Sequence, residues 1–184
     1  MRQIAPYTIL SEHDPSWKIE FHKLAEVYKE TLGSLLLRIE HVGSTAINGI
    51  KAKPILDIDI VIEDLSVLAE VVNKLKTIGY THNGDQGIPG REAFLRDDQF
   101  VPWDQNNKVW MKHHLYVCTK DNRELNRHIR FRDYLNSNPN AAKEYEKIKL
   151  EIESRSNGDR KIYADIKENE GVCSEFVERI LRKN

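Results

Sequence analysis

The chain has 184 residues, with 28 Lys and Arg against 29 Asp and Glu, and a formal net charge of −1. That balance gives no global attraction to a nucleic-acid polymer or an anionic membrane, and no stretch is long and apolar enough to span a bilayer. Two cysteines, Cys118 and Cys173, make neither a disulfide framework nor a zinc site. The N-terminal residues lack the apolar core of a signal peptide, so the expectation is a cytoplasmic protein. The 40% hydrophobic content suffices for a core, and the length suits a single domain over residues 1–184.

In chain order, residues 7–11 are expected to form a short strand. Asp14-Pro15 then reads as a helix start, with Asp as N-cap and Pro at the first helical position. Trp17, Phe21, Leu24, Val27 or Tyr28, and Leu32 follow at helical spacing up to Gly33, a core-facing stripe. Strand one is placed at 34–40 and strand two at 55–63. Asp64 or Ser66 caps a helix carrying Leu68, Val71, Val72, Leu75 and Ile78, which Gly79 ends. A brief strand at 80–82, a glycine-rich loop at 83–91, a strand at 92–96, a polar loop and a strand at 109–119 complete the middle. From Asn122 the pattern is helical to the end, with one helix to about Asn136, a second at about 140–154, and a third interrupted near Gly171. Strands in the middle and helices at both ends predict an α/β (α+β) fold, a mixed β-sheet flanked by helices, with a helical C-terminal part from about 121 to 184.

The chemistry concentrates between His41 and Ile62. Alternation along a strand puts Asp57 and Asp59 on one face and Leu56, Ile58, Ile60 and Ile62 on the other. Two adjacent carboxylates repel unless a cation sits between them, and hard oxygen ligands of this kind suit Mg²⁺ (or Mn²⁺) completed by substrate phosphates. The turn Gly43-Ser44-Thr45 offers backbone N–H groups and hydroxyls for those phosphates, with His41 two residues before it. Lys53 lies just upstream of the Asp strand. Arg91 ends the glycine loop, where a guanidinium can grip a phosphate bidentately. Arg123, Arg127, Arg130 and Tyr134 share one helix face at i, i+4, i+7 and i+11, ordinarily a solvated basic face. Lys167 follows Arg160 and Tyr163 on a later helix as a further cation. No Gly-Lys-Ser or Gly-Lys-Thr occurs, so there is no Walker A loop, and nothing around Ser44 resembles a nucleophilic triad.

Val42-Gly43-Ser44 followed by Asp57-Ile58-Asp59-Ile60 resembles the signature of the nucleotidyltransferase superfamily. A wider set of blocks resembles the GrpB family: Asp14-Pro15-Ser16-Trp17, Glu40 to Thr45, Ala52 to Ile58, Gly87-Ile88-Pro89-Gly90-Arg91, His113-His114-Leu115-Tyr116-Val117 and Phe131-Arg132-Asp133-Tyr134-Leu135. The resemblance implies the fold of DNA-polymerase-β-like nucleotidyltransferases, and it puts Arg130 and Arg132, within or beside the last block, ahead of the other arginines. Some relatives are fused behind dephospho-CoA kinase, which implies a CoA-pathway enzyme as a partner. This chain departs from the family pattern at Ile47-Asn48-Gly49-Ile50 and at Tyr116, which stands where the family has a third His of its block. It also carries Asp59, where many relatives lack a second acid. The sequence offers no clear third carboxylate; His114 is the candidate base or third metal ligand. The resulting expectation is metal-dependent transfer of a nucleotidyl group from an NTP to a small acceptor. Competing readings are a non-catalytic nucleotide- or CoA-binding module that assists a partner, and phosphate-ester hydrolysis at the same metal.

Overall fold

The computed structural model describes residues 8–104 and 106–182. Five strands form one mixed sheet: β1 (Arg38–Val42), β2 (Leu56–Ile62), β3 (Tyr80–His82), β4 (Arg91–Arg96) and β5 (His113–Thr119), in the order β1-β2-β5-β4-β3. β2 and β5 are parallel and central, and every other pairing is antiparallel. The helices are α1 (Ser16–Leu32), α2 (Leu68–Thr77), α3 (Arg123–Ser137), α4 (Pro139–Ser156), α5 (Arg160–Asn169) and α6 (Val172–Leu181).

The two faces of β2 meet different partners. Leu56, Ile58, Ile60 and Ile62 pack with Trp17, Phe21, Leu24 and Tyr28 of α1 and Val71 and Leu75 of α2. Val61 packs on the opposite face with Cys118 of β5 and Leu125 of α3. A third cluster joins α3 to α6 with Ile9, Leu10, Ile47 and Ile50, so the helical C-terminal part rests on the segment after β1. Asp59 belongs to the face that α3 covers, which is why a carboxylate on a central strand becomes fully buried.

Most element boundaries fall within one or two residues of expectation, and three differ. Gly33 ends α1 at φ 56°, but the chain makes one more tight turn over Gly33–Leu35 before extending, so β1 starts at Arg38 and runs to Val42. The expected strand at 7–11 is a single bridge from Ser11 to Ala52; residue 7 lies outside the described residues. Residues 109–112 are irregular, because Trp110 N–H turns to the Gln99 carbonyl and leaves the ladder to start at His113. α1 starts at Ser16 with Pro15, not the expected Asp14, at its N-cap and without a side-chain cap, although Asp14 accepts the Ser16 N–H at 2.8 Å just ahead of it; Asp159 does cap α5, accepting from the Lys161 and Ile162 N–H groups. No helix among the described residues is long and apolar enough to cross a membrane.

Candidate active site

The strand register builds the site. Val42, Asp57 and His114 lie abreast on β1, β2 and β5, and the next row on the same face is Glu40, Asp59, Tyr116 and Ala93. Asp57 is partly open, and its Oδ1 is bonded to His114 Nδ1 at 2.9 Å. Gly43 sits against the other oxygen: a Cβ there would lie 2.0 Å from Asp57 Oδ2. Gly43 also has φ 71° and ψ −171°, a region that essentially only glycine enters. The Gly-Ser turn is therefore laid directly on the first carboxylate.

Asp59 is completely buried. Its Oδ2 accepts from His128 Nδ1 of α3 at 2.8 Å, while its Oδ1 is buried without any hydrogen-bond partner. Burial pulls His128 down, but the hydrogen bond to Asp59 and the charges of Asp59, Glu124 and Asp57 outweigh it and raise its pKa above the ordinary imidazole value. An unsatisfied buried carboxylate oxygen costs free energy, and a cation ligand is one way to remove that cost. The pair of carboxylates thus fits a hard divalent ion that takes its remaining ligands from a substrate. Among the described residues, no group of three or more His, Cys, Asp or Glu is arranged to hold a metal by itself.

Two residues at this face were absent from the sequence-based candidates. His128 is four residues before Arg132 and so shares its helix face; attention to the arginine spacing passed over it. Glu40 on β1 stands opposite Asp59 on β2, but Arg38 and Arg132 each hold one of its oxygens, at 3.1 and 2.7 Å. A carboxylate does lie in this row, and both its oxygens are taken by arginines. His128→Ala leaves Asp59 with both oxygens unpaired and is expected to destabilise the metal-free protein by about 2 kcal/mol, the scale of a lost hydrogen bond to a buried charge. Urea denaturation reads this directly, and a change below a few tenths of that value would refute the pairing.

The other candidates divide. Lys53 and Lys167 both feel the Asp57 charge. Burial, then the cations Arg160, Lys167 and Lys112, lower the Lys53 pKa, which marks a convergence of positive charge beside the carboxylates. Lys167 is held protonated, with its pKa raised by Tyr145 first and then by Tyr163 and Asp57 against its burial. Arg91 lies on the site face with its guanidinium 4.6 Å from the Tyr116 ring centroid, and its buried Nε has no partner. Ser44 opens a one-turn 3-10 segment with Thr45 and Ala46. The Thr45 hydroxyl is already bonded to His41 Nε2 and the Ile55 carbonyl.

His41 points to the α1 side of the sheet, stacked on Phe21 at 4.8 Å, and burial pulls it down to about 4, so it is neutral. Arg132 braces Glu40, Asp133 and the His41 carbonyl. Arg130 donates to the Leu181 carbonyl at 2.8 Å and Arg127 pairs with Glu178. The face that the arginine spacing singled out is therefore turned to α6, because Leu125, His128 and Ile129 take the side that meets the sheet.

The GrpB protein family pattern matches residues 8–183. The glutamate-rich protein GrpB of Alkalihalophilus pseudofirmus is 35% identical over 95% of this chain and 94% of its own length. A protein of Mycolicibacterium paratuberculosis named dephospho-CoA kinase is 30% identical over 91% of this chain, which covers only 45% of that protein. Among solved structures, conserved protein GrpB from Enterococcus faecalis matches with a TM-score of 0.76 at 26% identity, over 95% of this chain and 98% of the other. The Cid1 poly(U) polymerase, solved with MgGTP bound, matches with a TM-score of 0.52 at 12% identity, over 76% of this chain and 42% of the other, a likeness of fold alone. With the family pattern matched over residues 8–183 and a relative 35% identical along nearly its whole length, this chain belongs to the GrpB family.

Proposed function

We propose that the chain binds a nucleoside triphosphate with Mg²⁺ or Mn²⁺ and transfers its nucleotidyl group to a small hydroxyl-bearing acceptor. The observation that carries this reading is the partnerless, buried Oδ1 of Asp59 beside Asp57, under a glycine turn that nothing larger fits. Asp57 and Asp59 hold the ion, which would supply charge stabilisation to the reacting phosphates. The Gly43-Ser44-Thr45 backbone and the Ser44 hydroxyl hold the terminal phosphates, since Thr45 has its hydroxyl engaged. Lys53, Lys167 and Arg91 add the positive charge that a leaving pyrophosphate requires. His114 donates Nδ1–H to Asp57, which leaves Nε2 as the acceptor for the proton of the attacking hydroxyl.

Ligands that bind only the folded state raise its apparent stability. The expected result is a thermal shift with NTPs that requires Mg²⁺ or Mn²⁺ and disappears in Asp57→Asn. An undiminished shift in that variant would remove the carboxylates from the reading. A second reading, a nucleotide- or CoA-binding module that assists a partner enzyme without turnover, is favoured by the histidines already paired with both carboxylates and by the name of the mycobacterial relative. A metal-independent shift with CoA would select it.

A further inference from the structure

Beyond His114 the sheet opens. β4 and β5 pair only as far as Phe94 and Leu115, and the two strands then part around a cleft of about 550 Å³. Ala93, Leu95 and Tyr116 line it from the same sheet face that carries Asp57 and Asp59, and Leu95 is 48% exposed there although it is an internal residue of a strand. The charged lining cancels: Arg96 and Lys112 stand against Asp97 and Asp98. Arg96 is further occupied by the Met111 carbonyl and His113. A site with no net formal charge and an apolar floor selects neither a polyanion nor a polycation. Gln86 and Gln99 stand in the lining as side chains that both donate and accept hydrogen bonds, which suits the edge of a neutral heterocycle. His114 belongs to this cleft as well as to Asp57; with Nδ1 engaged, its free nitrogen is Nε2, on a side chain 53% exposed.

We infer that this cleft is the acceptor subsite and that the acceptor is a nucleoside. Its base lies on the Leu95 and Tyr116 floor, and its ribose hydroxyl reaches His114. The volume suits a ligand of that size. The acceptor role rests on the transfer reading above; the binding of a nucleoside rests on the cleft alone. In the reaction, the ribose oxygen forms a bond to the α-phosphorus of the NTP as its proton passes to His114 Nε2. The bond from that phosphorus to pyrophosphate breaks, and the pyrophosphate leaves with the electron pair.

The test is titration of the isotope-labelled chain with adenosine, cytidine and uridine, without metal, followed by amide NMR. The expected result is that at least one of them moves the resonances of Ala93, Leu95 and Tyr116. Leu95→Arg, at an exposed position, is expected to weaken that binding at least about tenfold by placing a charge on the apolar floor, with the resonances of α1 and α2 unmoved. No shift with any of the three, shifts confined to residues 43–53, or undiminished binding in Leu95→Arg each overturn the inference. Incubation of the bound nucleoside with labelled NTP and Mg²⁺ then reads the acceptor role. Metal-dependent NTP binding without a labelled nucleoside adduct removes that role, whereas loss of NTP binding itself strikes the transfer reading and leaves the nucleoside site standing.

Discussion

Gly43→Ala is expected to abolish metal-dependent nucleotide binding and to lower stability by about 2–4 kcal/mol, the sum of backbone strain and overpacking. Both causes meet at one atom. The backbone at φ 71° and ψ −171° excludes a side chain, and the new methyl would fall 2.0 Å from Asp57 Oδ2. Asp57 cannot retreat without losing its place abreast of His114, to which it is bonded. Gly49→Ala is the control. Gly49 also has φ 71°, but nothing lies within 4 Å of its Cβ position, so only the left-handed backbone cost applies, about 1–2 kcal/mol. Chemical denaturation of both variants, with nucleotide binding measured on each, separates the two costs. Equal stability loss and equal retention of binding would refute the close packing of the turn on the carboxylate.

The stability of the wild-type protein relative to Lys149→Met is expected to rise with pH from about 7 toward 10.5. Lys149 is 1% exposed, donates to the Lys51 carbonyl and lies 5.0 Å from the Tyr145 ring centroid. Burial, followed by the charge of Lys167, lowers its pKa from 10.5 to about 7. Below that value the ammonium is charged in both folded and unfolded chains, and the full penalty of burying it is present. Between the folded and unfolded pKa values the unfolded chain binds one more proton, so stability rises at about 1.4 kcal/mol per pH unit. Above the unfolded value both forms are neutral and the penalty is gone. Taking the difference from Lys149→Met cancels the tyrosines and cysteines, whose raised values act with the opposite sign. Urea denaturation of both proteins at several pH values reads the slope. A flat difference would show that the folded amine titrates like an ordinary solvated lysine, and Lys167→Met is expected to move the onset of the rise upward.

The strand containing Asp57 and Asp59 was legible because alternation is a local property. Leu56, Ile58, Ile60 and Ile62 could only turn to one side, and both acids had to turn to the other. The cap at Asp64 was legible for the same reason, since it is made to the N–H of Ser66, two residues on. The arginine face of α3 was not. Spacing states which side chains are neighbours on a helix, but not which face meets the sheet. Leu125 and Ile129 settle that by burial, and they bring His128 to Asp59 while they carry Arg127 and Arg130 to α6. The carboxylate beside Asp59 was a similar case. Glu40 lies nineteen residues from Asp59 in sequence, and only the antiparallel register of β1 and β2 places them side by side.

The order of elements, the turn-then-carboxylates arrangement and the resemblance to the GrpB family could be read from the residues alone, because these rest on local geometry and on residue types at fixed spacing. What each candidate side chain touches depends on the packing of the folded chain. Packing of α3 on the sheet buries Asp59 and gives it His128, the register of β1 gives Arg132 to Glu40 rather than to a phosphate, and the divergence of β4 from β5 opens the cleft at His114. Those outcomes depend on contacts between residues far apart in the chain, and the free energy of such contacts is set by what each side chain is buried against, which no local pattern contains.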